Sequence, residues 1–216
     1  MGVPVFWIEP TDRVRRRLRR FRFSNTGPES VCPAPFGSHN AYAPFSEGKA
    51  RREDDCWSFD DDHEIPAHDD ARWPTKCDGC PYMFRPEDEW QLFHDLIYAR
   101  TDNGETMTLR DCPVGAMWDA TWYPWKGPDG ISLMVAVPPE GGPGHDTWSV
   151  DSRASNCTMP NDDVHRCWVR HGDPRKDPRS VHVDKNGHTC AAGAGSIQTR
   201  RWHGFLDHGE LVEQRK

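Results

Sequence analysis

A Cys77-Asp-Gly-Cys80 pair follows Pro74 in a chain that holds eight cysteines. Gly79 lets the backbone bend, and a tight turn of this kind can place both thiolates on one tetrahedral ion. One such pair is half a site. Cys32 and His39, which bracket a loop, are the expected partners, and Cys56 is the first substitute; His63 and His68 also lie near in sequence. Two free thiols in a turn, or a disulfide, are the plain alternatives. Met1 to Pro10 lack the basic start and apolar core of a secretory signal. The expected compartment is therefore a cytoplasm, where thiols stay reduced and clustered Cys and His more often bind metal.

Composition gives the metal a purpose. Only 35 % of residues are hydrophobic, yet aromatics reach 11 %, with ten Trp. A disordered chain is normally poor in aromatics. Gly and Pro, 18 and 19 residues, favour loops over long helices or strands. Structural zinc would explain how a chain with so few aliphatic residues folds, because its binding energy becomes folding energy. No stretch approaches the ~18 apolar residues of a membrane span.

A second ligand set is expected in the C-terminal third: Cys157, Cys167 and Cys190, with His171 or His165. The spacings of ten and twenty-three residues are loose. The density of ligand-type residues carries the expectation, and solvated His in turns is the ordinary alternative.

The net charge of −7 conceals two opposed blocks. Residues 1 to 23 carry seven Arg against Glu9 and Asp12, a balance of +5; residues 53 to 76 carry nine acids against Arg72 and Lys76, a balance of −7. Thr11 can cap a helix in which Val14, Leu18 and Phe21 form one stripe. Arg13, Arg15, Arg16, Arg17, Arg19 and Arg20 would cover its remaining surface, either as a solvated face or as a docking face for phosphate or an acidic partner. Pro86 opens a second expected helix, to about Arg100, with acids in its first turn and Trp90, Phe93 and Ile97 as its stripe. Residues 24 to 52 and the acidic segment read as loops. Short strands are expected at Val3 to Ile8, Met107 to Leu109, Ala116 to Tyr123, Ile131 to Val137 and Thr147 to Val150. A turn is expected at Lys126 to Gly130, and a hairpin around Asp207-His208-Gly209. For Trp118, Trp122 and Trp125, core and hairpin packing is the favoured use over an aromatic ligand platform. The expected fold is a loop-rich, zinc-stabilised α+β: two short helices with short antiparallel strands, divided into residues 1–103 and 104–216.

Catalytic motifs are incomplete. Arg170-His171-Gly172 matches the triplet of histidine phosphatases, but fewer than fifty residues follow it. Asp62-His63-Glu64-Ile65-Pro66 with the Cys77–Cys80 pair resembles an HNH-type nuclease, yet no C-x2-C precedes it, and Pro81 and Tyr82 directly follow Cys80. The Gly-rich run from Ala191 to Ser196 lacks the Lys of a P-loop. Cys112 sits beside Pro113 without a nearby His in sequence.

Several strings together resemble a family. They are Phe6-Trp7-Ile8-Glu9-Pro10-Thr11 with Arg13-Val14, Arg72-Trp73-Pro74-Thr75, Gly115-Ala116-Met117-Trp118, Lys126-Gly127-Pro128-Asp129-Gly130, Ser155-Asn156-Cys157, His165 to Gly172, Val183-Asp184-Lys185 and His203-Gly204-Phe205-Leu206. This pattern is similar to that of uncharacterised proteins encoded by tailed bacteriophages and prophages of high-GC bacteria. The resemblance implies a phage origin, location in the host cytoplasm or virion, and a shared Cys32, His39, Cys77, Cys80 set from which Cys56 departs; it implies no activity. The expected function is that of a non-enzymatic virion or accessory protein with structural zinc. It would act by contacts with capsid or tail proteins or with copies of itself. The alternative is a nucleic-acid-binding protein or degenerate HNH-like nuclease using the Arg-rich segment.

Overall fold

The structure, a computed structural model, describes residues 2–23, 32, 38–54, 56–60, 64–139, 144–151, 169–184, 196–199 and 202–213. Among these residues there is no α-helix; the chain is nearly all sheet, with one 3-10 turn at Pro178–Ser180. The expected α+β architecture with two helices is thus corrected to an all-β one. The chain divides into two compact units, one formed by 1–10 with 98–216 and the other by 11–97.

In the unit formed by residues 11–97, the segment expected as the first helix is part of a 17-residue strand, β2 (Phe6–Arg22). β2 follows β1 (Val3–Pro4) and pairs antiparallel with β3 (His39–Glu53), from Arg22↔His39 to Arg13↔Lys49. A register shift between Arg16 and Arg17 marks a bulge. Val14 and Leu18 are both at 0 % exposure, and they share their strand face with Arg16 and Arg20. Val14 and Leu18, four residues apart, fit a period of two as well as a helix, whereas Phe21, three residues further on, fits only the helical spacing. β3 overturns the loop expected through residue 52. It returns as β4 (Cys56–Phe59), paired through Ala50↔Phe59 and Glu53↔Cys56. The second expected helix is also a strand, β5 (Glu89–Arg100), which pairs with β2.

In the unit formed by 1–10 and 98–216, Phe6 and Trp7 pair in parallel with β7 (Ala116–Asp119), beyond β6 (Thr106–Thr108). β8 (Leu133–Val137) and β9 (Asp146–Ser149) extend the sheet antiparallel. β10 (Val169–His171) pairs with β11 (His182–Asp184). β12 (Ser196–Gln198), β13 (His203–Asp207) and β14 (Glu210–Glu213) complete a second sheet with β1. The strands expected near 107, 116, 131 and 147 and the terminal hairpin overlap these elements, but the strand expected over Ala116 to Tyr123 stops at Asp119, and a turn follows at residues 121–122. Trp7, Met117, Leu133, Val135, Leu206 and Leu211 fill the core between them. Gly115 has φ of +95°, and an added Cβ there would run into the Pro4 carbonyl, so the parallel start of β2 requires glycine at this point. Trp118 is buried in β7, as expected for core packing, whereas Trp122 and Trp125 are exposed in the loop that follows.

Candidate metal centre

The Cys77–Cys80 pair sits in a small hairpin. Phe84 N–H donates to Thr75 O at 2.8 Å and Cys77 N–H to Tyr82 O at 2.9 Å, with a bridge between Lys76 and Met83. Gly79 N–H donates to Cys77 Sγ at 3.4 Å, turning the thiol into the mouth of the knuckle. Asp78 N–H donates to Asn40 O at 2.9 Å, which ties the knuckle to the start of β3. His39 is the first residue of β3, so this bond brings its ring to the cysteines. Cys32 comes from the connection between β2 and β3.

The four expected donors converge. Cys32 Sγ lies 3.8 Å from both Cys77 Sγ and Cys80 Sγ, and Cys80 Sγ lies 3.2 Å from His39 Nδ1. All four ligand atoms fall within 4.8 Å of one another. A tetrahedral ion with metal–sulfur bonds of about 2.3 Å sets its sulfurs about 3.8 Å apart. A disulfide would bring them to about 2.05 Å. The thiols are free, and Cys32, His39 and Cys77 are buried. Burial pushes the Cys77 thiol up, but hydrogen bonds from Gly79 N–H, His39 and the Asn40 backbone, and one with Cys80, outweigh it and bring it down to about 7. Three soft sulfurs and one imidazole suit zinc. The cluster can therefore hold a metal ion, and its donor set is consistent with zinc.

The imidazole is held by its ring face. His39 Nε2 is buried without a hydrogen-bond partner among the described residues, and Tyr82 stacks on the ring with centroids 4.1 Å apart. Tyr82 Oη donates to Asp88 Oδ2 at 2.9 Å, and Arg22 reaches both Tyr82 Oη and Asp88 Oδ1 at 3.2 Å. Arg85 N–H donates to Asp88 at 2.7 Å. Nothing in the residue pattern marks Asp88 or Arg22 as part of this site; the one local signal for Tyr82 is its place in Pro81-Tyr82, directly after Cys80.

Of the second expected set, Cys157, Cys167 and Cys190 lie outside the described residues. His171 is described: its ring stacks on His182 at 4.7 Å, and His182 stacks on His208 at 4.3 Å. Among the described residues, Cys32, His39, Cys77 and Cys80 are the only group close enough to share an ion. Cys56 is exposed in β4 and stands apart from it. His63, the base in the HNH comparison, is outside the described residues.

The six arginines lie on a strand, not a helix, and each meets a group of its own unit. Arg13 and Arg15 face Glu47, and Arg17 Nε pairs with Asp95 at 2.7 Å. Arg19 donates twice to Asn40 Oδ1, at 2.6 and 3.0 Å. Arg16 is fully buried and donates to the Glu47 and Asp60 carbonyls. Arg20, also buried, donates to Arg85 O at 2.8 Å. Arg170 of the phosphatase-like triplet is likewise internal, bound to Asp129 and Asp151. Cys112 is buried and donates to Leu109 O at 3.3 Å, and burial pushes its thiol up to about 12.

No helix among the described residues is long and apolar enough to cross a membrane. No family model, no curated protein and no solved structure matches this chain.

Proposed function

We propose that this chain is a non-enzymatic phage protein, a virion or accessory component, whose metal is structural zinc and whose work is done by protein–protein contacts. One observation carries the reading: the donor set is closed. Three thiolates and an imidazole fill a tetrahedron and leave no position for a substrate or an activated water, which is how structural zinc sites differ from catalytic ones. The site joins the knuckle to the start of β3 and the β2–β3 connection that leads into it, nearly forty residues earlier in sequence. Binding there ties down a unit in which few of the described large apolar side chains are buried, Val14, Leu18, Phe21, Trp73 and Ile97. The phage assignment rests on the sequence resemblance.

The nucleic-acid alternative draws less support, because Arg16 and Arg20 are buried and Arg13, Arg15 and Arg17 already face carboxylates. Metal analysis by mass spectrometry with a free-thiol count tests the zinc. One zinc per chain at this site, with its three cysteines reduced, is expected; metal-free protein with those cysteines oxidised overturns the reading. Co-sedimentation with phage particles or a capsid or tail protein tests the contacts, and no association with any of them overturns that part. Steeply salt-dependent binding to DNA or RNA would favour the alternative instead.

A further inference from the structure

The loop between β7 and β8 ends in an exposed aromatic tip. Trp122 is 61 % exposed and Trp125 39 %, and the Tyr123 and Trp125 rings lie 5.1 Å apart. The tip is held from beneath. The Ser132 hydroxyl sits on the Tyr123 and Trp125 carbonyls, and Gly127 N–H donates to Ile131 O at 2.7 Å. Arg170 grips Asp129 at 2.6 and 3.0 Å and Asp151 at 3.1 Å. Aromatic side chains on a pre-ordered loop lose little entropy on association and act as interface anchors. Lys126, beside them, is exposed and forms no ion pair among the described residues.

The other unit carries a complementary feature. A cleft of about 280 Å³ lies between Phe21, Phe23 and the acids Glu87 and Glu89. Phe23 is 59 % exposed. Arg22 and Asp88, which also line the cleft, neutralise each other at 3.2 Å. Glu87 and Glu89 are exposed and have no partner among the described residues. The cleft thus combines an apolar wall with two unpaired carboxylates.

We propose that the tip of one copy docks in this cleft of a second copy, Trp122 and Trp125 anchoring on Phe23 and Lys126 facing Glu87 and Glu89. The inference rests on the protein-contact reading above and names its partner. Charge sets the pairing: tip against tip would oppose Lys126 to itself, whereas tip against cleft pairs it with carboxylates. Such a contact is head-to-tail. Each joined pair keeps one free tip and one free cleft, so the contact propagates into a ring or a filament.

Sedimentation velocity on the zinc-loaded full chain tests this. Species that grow with protein concentration and shrink with added salt are expected. Trp122→Ala/Trp125→Ala and Glu87→Lys/Glu89→Lys should each remain monomeric while keeping zinc and far-UV spectrum. Mixed, these two variants should form a 1:1 dimer that grows no further, because only one intact tip and one intact cleft remain. Lys126→Glu combined with Glu87→Lys/Glu89→Lys in one chain should restore growth. A wild-type monomer at every concentration, tip variants that assemble like wild type, or a mixture that stays monomeric would overturn the proposal. A monomer that still holds zinc and sediments with particles overturns this contact alone; the proposed function fails separately, by lacking zinc or particle partners.

Discussion

The Tyr82 ring lies nearly parallel to the His39 imidazole, 13° from coplanar, and its hydroxyl donates to buried Asp88. Stacking therefore orients the imidazole where an outer-shell hydrogen bond would usually do so. Tyr82→Ala should weaken zinc binding by about 10- to 100-fold, the usual cost of losing an orienting partner. Tyr82→Phe keeps the stack and should leave zinc affinity within a few-fold. It should lower stability by ~1 kcal/mol, since Asp88 loses one donor. Competition against a chromophoric chelator measures the first effect, and urea unfolding the second.

Cys77→Ser should abolish stoichiometric zinc and the cooperative melting of the unit formed by residues 11–97, because metal binding there is folding energy. Cys56→Ser should change neither, as Cys56 stands outside the cluster. Zinc content and a thermal melt on each variant decide it.

The local half of the metal site was legible and the distant half less so. Cys77 and Cys80 announce themselves by spacing; Cys32 and His39 reach them only because β2 and β3 pair and Asp78 bonds to Asn40. The helices failed for a physical reason. Val14, Leu18 and Phe21 fit a helical stripe, and the strand face Val14, Arg16, Leu18, Arg20 was hidden because arginine is rarely buried. Here carbonyl oxygens receive the buried guanidinium groups. β3 was hidden by Pro44 and Gly48, which read as loop residues. Pro44 sits at the bulge beside the Arg16/Arg17 register shift, and a Cβ on Gly48 would collide with the Arg16 guanidinium. Tertiary pairing overrode local preference at both.

Cys112 should resist alkylation. Burial holds its thiol at about 12, so roughly one in ten thousand is thiolate at pH 8. Cys56, exposed, should react at once. Mass spectrometry after iodoacetamide should show Cys56 modified in native protein and Cys112 modified only after denaturant is added.

Alkaline pH should unfold the unit formed by 1–10 and 98–216 before neutral or mildly acidic pH does. Burial raises both the Cys112 thiol and the Tyr98 phenol to about 12. Their unfolded values are about 8.5 and 10, so the folded state binds more protons above those values. The stability they contribute is complete below about pH 8.5 and is lost as pH rises toward 12. Urea midpoints from pH 7 to 11 should fall accordingly, and Cys112→Ala should flatten the start of that fall.

Arg170 should matter more to stability than any other described arginine of its unit. Its side chain is 1 % exposed, between Asp129 and fully buried Asp151. Asp151 also accepts Leu133 N–H at 2.9 Å, so the pair anchors β8 as well as the loop tip. Arg170→Met would leave the Asp151 carboxylate without its cation and should cost about 3–5 kcal/mol. Arg170→Lys should recover only part of this, since one ammonium cannot span two carboxylates as the planar fork does. Gly127→Ala should mimic the defect without altering charge, because its Cβ would occupy the place of the Arg170 guanidinium. Urea unfolding of the three variants should rank Arg170→Met lowest. An Arg170→Met midpoint equal to wild type would show that the pair holds nothing in place.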